Sequence, residues 1–137
     1  SGGEMSRIML AIKTVLAKKD AIGTLIFDEI DTGISGRTAQ KVSEKLALLG
    51  RSHQVICVTH LPQIAAMADA HFEITKQVDG ETEQERTATV VRRLKEKEIT
   101  AELARMLGGA EITPVVLKNA EEMKELATET KQKLSER

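Results

Sequence analysis

The sequence predicts an α/β fold, in which a βαβ unit of parallel strands is followed by a hairpin and C-terminal helices. Short, continuous apolar runs at 24–27 and 54–59 have the length of strands that are buried on both faces, as in a parallel sheet. Apolar residues recur at helical spacing before and between these runs. Two further stretches, 71–78 and 87–94, flank a polar segment as in a hairpin with a long loop.

The first helix is predicted over 5–19, and its N-terminus reaches back to Ser1. Ser1 and Glu4 have the spacing of a capping box, in which each side chain accepts a hydrogen bond from the other residue's backbone N–H. Lys18 and Lys19 suit the C-terminal end of a helix, where the carbonyl groups carry partial negative charge. One helical face holds the apolar residues of an amphipathic helix, namely Met5, Ile8, Met9, Ile12, Val15 and Leu16.

The βαβ unit begins at the strand 24–27. A loop rich in Gly, Ser and Thr covers 31–36, and a second helical pattern starts at Arg37 and stops at Gly50. The strand at 54–59 then completes the unit. Because the connection between parallel strands is almost always right-handed, we expect a right-handed crossover here.

The remaining pattern predicts a short helix, the hairpin and two longer helices. The short helix spans 61–69 and has Pro62 in its first turn. The hairpin connection starts with Asp79-Gly80-Glu81. A helix over 100–107 closes at two glycines, and a final helix over 114–133 has one apolar and one charged face.

Composition bounds the class of protein. The chain has 137 residues, of which 41% are hydrophobic and 30% charged, as expected for one domain with a packed core. A formal net charge of -1 and 1% aromatic residues argue against a basic or base-stacking nucleic-acid surface. No apolar stretch approaches the ~20 residues that span a bilayer. Cys57 is interpreted as a small core residue, and these features together favour a cytoplasmic protein.

Asp28 and Glu29 are the first candidate site residues. Adjacent carboxylates at the C-terminal end of a strand lie where open α/β sheets place their ligands. Successive side chains point to opposite sides of a strand, so one carboxylate can hold Mg²⁺ through water while the other deprotonates an attacking water. Solvated acids that merely end a strand fit the same pattern.

His60 ends the second strand, and parallel neighbouring strands would bring it near Asp28 and Glu29. An imidazole at that place can donate a hydrogen bond to phosphate or hold the water. A surface histidine without such a role is the competing interpretation. His53 and His71 lie outside this position and are interpreted as structural.

The opening turn, Ser1-Gly2-Gly3, has the chemistry of an anion site. Free backbone N–H groups at a helix start and the positive end of the helix dipole attract phosphate, and glycines let a ligand approach the backbone closely. A plain capping box fits the same letters.

The order of these motifs resembles the ABC-type ATPases. SGGE, a helix, LIFDEID, a small loop, a helix and a strand ending in VTH match the signature motif, Walker B motif, D-loop and switch histidine of that family. The strings FDEIDTGISGRTA and VTHLPQIAAMADAHF narrow the resemblance to the SMC-like DNA repair ATPases of bacteria. The resemblance covers nearly the whole chain and is most specific over 1–72.

The resemblance implies a role for each matching residue of the site. Asp28 would serve Mg²⁺, Glu29 would be the catalytic base, and His60 would contact the γ-phosphate of ATP. The turn formed by Ser1, Gly2 and Gly3 would face ATP bound to the opposing subunit.

The D-loop residues Asp31, Gly33 and Ser35 would lie across the interface between two heads. SMC proteins usually carry a Leu-Asp pair where this chain has Ile34-Ser35. The resemblance therefore leaves open whether Asp31 or Ser35 carries the D-loop role.

The resemblance also implies a divided ATPase. The chain contains no Gly-x-x-x-x-Gly-Lys-Ser/Thr and hence no P-loop of that type. In the family this loop lies upstream of a long coiled coil. We therefore interpret 1–137 as the C-terminal half of a split head, cut at the signature motif, with the motifs in 1–70 and the hairpin and last helices in 71–137. We expect ATPase activity in the complete protein and none in this fragment alone.

The expected partners are the N-terminal half of the same head, a second head in a homodimer, and DNA, with ATP and Mg²⁺ bound and no membrane. A cytoplasmic or nucleoid-associated location follows. Two alternatives stay open. One is the ATPase subunit of a transporter or of another chromosomal ATPase, and the other is a non-catalytic regulatory or scaffold domain. The presence of both Glu29 and His60 speaks against the latter.

Overall fold

The chain is described here by a computed structural model that covers residues 1–17, 19, 21–79 and 86–136. The elements, in order, are α1 (Gly2–Leu16), β1 (Thr24–Phe27), α2 (Gly36–Leu49), β2 (Gln54–Cys57), α3 (Pro62–Ala66), β3 (Phe72–Asp79), β4 (Arg86–Arg93), α4 (Glu96–Gly108) and α5 (Pro114–Ser135). The predicted α/β class and element order are confirmed.

β1 and β2 are parallel neighbours, as the βαβ pattern predicts. Their register pairs Thr24 with Gln54 and Phe27 with Cys57, so both strands end at the same edge. The backbone N–H of Val58 donates to the carbonyl of Phe27 at 3.0 Å and continues the pairing for one more residue. This edge is where the candidate site lies.

The expectation that these strands are buried on both faces is wrong. Ile26 is 69% exposed, and Ile56 and Val58 are also exposed. The opposite faces of the strands, with Phe27 buried, pack against the helices. Because successive side chains of a strand point to opposite sides, a two-stranded sheet covered by helices on one side leaves the other set in solvent.

The capping box of α1 forms as predicted, but the helix packs on an unexpected face. Leu10 is 3% exposed and Gly3 is buried, whereas the apolar stripe that the helical periodicity identifies faces solvent. We call this stripe the open face of α1; it consists of Met5, Ile8, Met9, Ile12, Val15 and Leu16. Lys18, one of the two lysines expected at the helix end, lies outside the described residues.

The core beneath the candidate site joins α1, α2 and β1. It is an apolar cluster of buried residues from these elements, the loop after β1 and α3: Leu10, Phe27, Ile30, Val42, Leu46, Leu49 and Ile64. Each fully buried aliphatic side chain stabilises the fold by about 1.5–3 kcal/mol. Ile30, fully buried, therefore anchors the loop that directly follows β1.

The second half forms the predicted antiparallel hairpin and a helical pair. β3 and β4 pair from Phe72 with Arg93 to Asp79 with Arg86. The predicted hairpin connection at 79–81 lies largely outside the described residues. α4 begins four residues before the predicted Thr100, because the Glu98 carboxylate accepts the backbone N–H of Lys95 at 2.6 Å and caps the earlier start.

The two halves of the chain are tied together by packing and by polar contacts. A second apolar cluster joins α3 to α4 and α5. Arg51, just after α2, donates to the carbonyl of Leu134 near the end of α5 at 2.7 Å, and Lys131 pairs with Asp69 at 2.9 Å. The C-terminal helices therefore support α2 and α3, which position the strand ends.

Candidate functional site

The candidate site is built where β1 and β2 end. The loop after β1, residues 28–32, lies between the N-terminus of α1 and the turn after β2. Polar contacts connect it to both, through Ser6 and Arg7 on one side and Thr59 and His60 on the other. The structure thus brings the signature-like turn, the acidic pair and the histidine to one edge of the sheet.

Asp28 and Glu29 are both exposed at the end of β1. The carboxylate oxygen Oδ1 of Asp28 accepts the backbone N–H of Glu29 at 2.9 Å, which fixes one side of the Asp28 carboxylate. Glu29 has a φ of 56°, in the left-handed region that glycine prefers. A non-glycine residue held there costs about 1–3 kcal/mol and is concentrated at functional sites. The left-handed backbone conformation thus occurs at the residue that is predicted to be the base.

Glu29 lies against the N-terminus of α1 in its own chain. A Cβ atom added to Gly2 would lie 2.5 Å from Oε2 of Glu29. A carboxylate at a helix N-terminus is favoured by the partial positive charge of that end. The residue predicted as base and the turn predicted to bind phosphate are therefore in contact within one chain.

Gly3 has a packing role that the sequence did not reveal. A Cβ atom at this position would lie 2.9 Å from the backbone oxygen of Glu29 and 2.9 Å from Cβ of Thr32. Only glycine permits this close approach of α1 to the loop. Of the three residues predicted to face phosphate, Ser1 and Gly2 are exposed, whereas Gly3 is buried.

Two further residues of α1 hold the loop, and sequence reasoning missed both. The hydroxyl of Ser6 donates to the carbonyl of Asp28 at 3.0 Å. Nη1 of Arg7 donates to the carbonyls of Ile30 at 3.0 Å and Thr32 at 2.9 Å. The sequence feature that could have identified Arg7 is its position on the same helical face as Gly3 and Leu10.

Asp31 is the most enclosed polar residue of the site, at 3% exposure. Its Oδ2 accepts the hydroxyl of Thr59 at 2.6 Å and the backbone N–H of His60 at 2.9 Å, and Nδ1 of the His60 ring lies 2.9 Å from the same oxygen. Burial alone would raise the pKa of Asp31, but these hydrogen bonds and the nearby His60 ring outweigh it and lower the pKa. Asp31 is therefore a carboxylate at neutral pH.

The three predicted D-loop residues differ in their exposure to solvent. Gly33 and Ser35 are exposed, as an interface with a second head would require. Asp31 is buried, and its described partners belong to its own chain. The contacts of Asp31 are therefore with His60 and Thr59 of the same chain.

The remaining titratable groups near the site fit structural roles. Burial, together with the charges of Asp31 and Asp28, raises the pKa of the Cys57 thiol to about 12, so it stays protonated and is a poor nucleophile. His53 is buried with Nδ1 2.8 Å from the hydroxyl of Ser52. Burial lowers the pKa of His71, which lies in the connection between α3 and β3 and not at the ends of β1 and β2.

The oxygen chemistry at Asp28 suits a magnesium ion. Among the described residues, no group of three or more His, Cys, Asp or Glu side chains forms a cage for a metal. Mg²⁺ bound with a nucleotide needs only one or two carboxylates, because phosphate oxygens and waters complete its octahedron. The exposed carboxylate of Asp28 fits that requirement.

Comparison with known proteins gives one consistent result. The chain is 47% identical over 131 residues to the DNA repair protein RecN of Halalkalibacterium halodurans, 46% over 132 residues to that of Bacillus subtilis, and 50% over 127 residues to that of Haemophilus influenzae. These matches cover 92% to 96% of the chain but only 22% of each relative. No family model matches the chain. None of the described helices combines the length and apolar character needed to cross a membrane.

Proposed function

This chain is a segment of a protein of the RecN family of DNA repair proteins. From that premise we propose that it supplies part of a composite ATPase site. In this proposal the complete protein hydrolyses ATP to drive association of two heads during DNA repair. The observation that carries it is the single edge at which Asp28, Glu29, His60 and the N-terminus of α1 meet.

The proposed reaction is in-line attack of water on the γ-phosphate. Glu29, exposed at the strand end, orients the water and accepts its proton. Asp28 would hold Mg²⁺ through water, and the bound ion would supply positive charge opposite the phosphates. His60 donates a hydrogen bond to a γ-phosphate oxygen. The chain thus supplies positioning and charge stabilisation, which account for most of the catalysis in phosphoryl transfer.

The site requires parts that this chain does not contain. The phosphates need a P-loop, which the sequence lacks, so we assign it to the N-terminal half of the same head. The exposed turn at Ser1 and Gly2 would contact ATP held by a second head, as would the exposed Gly33 and Ser35. Without these parts we expect no ATP turnover from the chain alone.

Two exposed apolar surfaces support the assignment of a missing half. The open face of α1 and the outer face of β1 and β2, with Ile26 and Ile56, are exposed. Large contiguous apolar surface usually marks a contact with another protein element. Since the chain spans only 22% of its relatives, other segments of the complete protein are available to cover these surfaces. DNA is the proposed partner of the complete protein.

Replacement of Glu29 by Gln in the complete protein tests the proposed base. The amide keeps the shape of the side chain but cannot accept the proton, so turnover should fall by at least ~10²-fold. ATP binding and head association should persist, measured by nucleotide titration and by light scattering. The matched control is Glu111→Gln, an exposed residue in the connection between α4 and α5, which should leave turnover unchanged.

Normal turnover in Glu29→Gln would contradict the assignment of Glu29 as the base. Loss of ATP binding in the same variant would also count against it, because the base is not proposed to hold the nucleotide.

A further inference from the structure

Asp31 sits at the centre of a small hydrogen-bond network that the assigned motifs do not explain. It follows the strained Glu29 by two residues, and its carboxylate is nearly inaccessible to solvent. A single oxygen, Oδ2, accepts hydrogen bonds from the Thr59 hydroxyl and the His60 backbone N–H, and the ring nitrogen Nδ1 of His60 lies 2.9 Å from the same oxygen. All these contacts converge on the turn after β2.

The network fixes which nitrogen of His60 faces outward. An ionised carboxylate has only acceptor oxygens, so the approach of Nδ1 to within 2.9 Å is favourable only when Nδ1 carries a proton. The His60 side chain is nevertheless 72% exposed. The other nitrogen, Nε2, is therefore on the side of the ring that is available to a ligand. Without a partner at Nδ1, an exposed imidazole ring would rotate, and Nε2 would have no fixed direction.

Thr59 extends the network into the backbone. Its hydroxyl donates to Asp31 at 2.6 Å and accepts the backbone N–H of Leu61 at 3.0 Å. Both N–H groups that flank the His60 side chain are thus held, one by Asp31 and the other by Thr59. The backbone of the turn and the ring are positioned by the same buried carboxylate.

We propose that Asp31 is the positioning residue for His60 in the same chain, holding the ring by Nδ1 so that Nε2, which carries a proton in the imidazolium form, is presented to the γ-phosphate. This inference rests on the proposed function, since it assumes that His60 contacts the nucleotide. It assigns to Asp31 a role within one head rather than across the interface between heads.

The test is a double-mutant cycle in the complete protein with Asp31→Asn, His60→Ala and the pair combined. The amide of Asp31→Asn is nearly isosteric but has lost the charge that holds the ring. We expect kcat for ATP hydrolysis to fall by about tenfold or more while KM changes less than about twofold, the pattern of an interaction made in the transition state. If Asp31 acts through His60, the double variant should be no slower than His60→Ala, because the two effects are not additive.

If kcat of the double variant falls by the product of the two single losses, the inference is wrong. It is also wrong if a folded Asp31→Asn variant has the wild-type kcat. These results differ from failure of the proposed function. In that case His60→Ala itself would turn over ATP normally, and the assignment of His60 to the γ-phosphate would be lost.

A second pair of variants keeps the test independent of how Asp31→Asn folds. Thr59→Val removes the hydroxyl with little change in shape, and Thr59→Ser retains it. We expect Thr59→Val to lower kcat with KM unchanged and Thr59→Ser to restore it. Equal kcat in the two variants, with matching midpoints of thermal unfolding, would contradict the network's role in positioning His60.

Discussion

At the scale of the residue, the site depends on contacts between positions that are far apart in sequence. Asp31 meets Thr59 and His60 across the two strands, and Arg7 meets the carbonyls of Ile30 and Thr32. Hydrogen bonds to backbone carbonyls need only a donor of sufficient reach, so they leave no local sequence pattern. This is why the sequence predicts the types of residue at the site but not which residues form hydrogen bonds with each other.

The two glycines of the opening turn should respond differently to substitution by alanine. In Gly3→Ala the new Cβ would meet backbone and Cβ atoms at 2.9 Å, which can move only by displacing α1 from the loop. Overpacking of this kind costs about 1–3 kcal/mol, which should appear as a lower free energy of unfolding in denaturant titrations. Gly2→Ala should cost much less, because the atom it meets is the end of the flexible Glu29 side chain. Equal stability of the two variants would contradict the proposed packing.

At the scale of the element, α1 packs against the loop after β1 and holds it in place. Gly3, Ser6 and Arg7 all contact that loop, and Leu10 anchors the same face of the helix in the core. Three residues of α1 thus hold the loop that carries the proposed base.

Replacement of Arg7 by Met measures the strength of this connection. The change keeps much of the aliphatic length but leaves the carbonyls of Ile30 and Thr32 without their guanidinium donor. The contact with Ile30 is partly buried and the contact with Thr32 is exposed, so the cost of about 1–3 kcal/mol for a buried group without a partner applies to the Ile30 carbonyl. We expect a lower free energy of unfolding and faster amide hydrogen exchange in residues 28–32. Arg37→Met, at an exposed position of α2, is the matched control, and similar exchange in both variants would refute the connection.

The elements themselves were largely predictable, and the exceptions have physical causes. Continuous apolar runs identify β1 and β2, and the spacing of Ser1 and Glu4 identifies the start of α1. Periodicity alone could not tell that the open face of α1 is exposed, because it ranks residues by hydrophobicity and takes no account of which neighbours are present in the chain. α4 was predicted too short because its first turn is charged and is stabilised by the capping carboxylate of Glu98.

At the scale of the whole molecule, the chain has a complete core and an incomplete site. The apolar clusters join every helix to its neighbours, whereas the open face of α1 and the outer face of the short sheet remain uncovered. The residues that we assign to chemistry lie at the sheet edge next to those uncovered surfaces. We propose that other parts of the complete protein complete the site, since the chain spans only 22% of the length of its relatives.

The central claim is that the site is shared between two heads, and a mixing experiment with two variants of the complete protein tests it most directly. Glu29→Gln lacks the base but keeps the turn at Ser1, whereas Ser1→Arg blocks the turn but keeps the base. Each variant alone should be inactive. In a symmetric dimer, an equimolar mixture should regain roughly a quarter of wild-type turnover, because half of the dimers are mixed and each contains one intact site.

Glu29 lies against Gly2 of its own chain, so the alternative to a shared site is a turn that acts with the base of the same chain. If the turn serves the base of its own chain, every site in the mixed dimer carries a defect and the mixture stays inactive. Restored ATP turnover would support a site shared between heads, and continued inactivity of a mixture whose dimers are shown to exchange would contradict it.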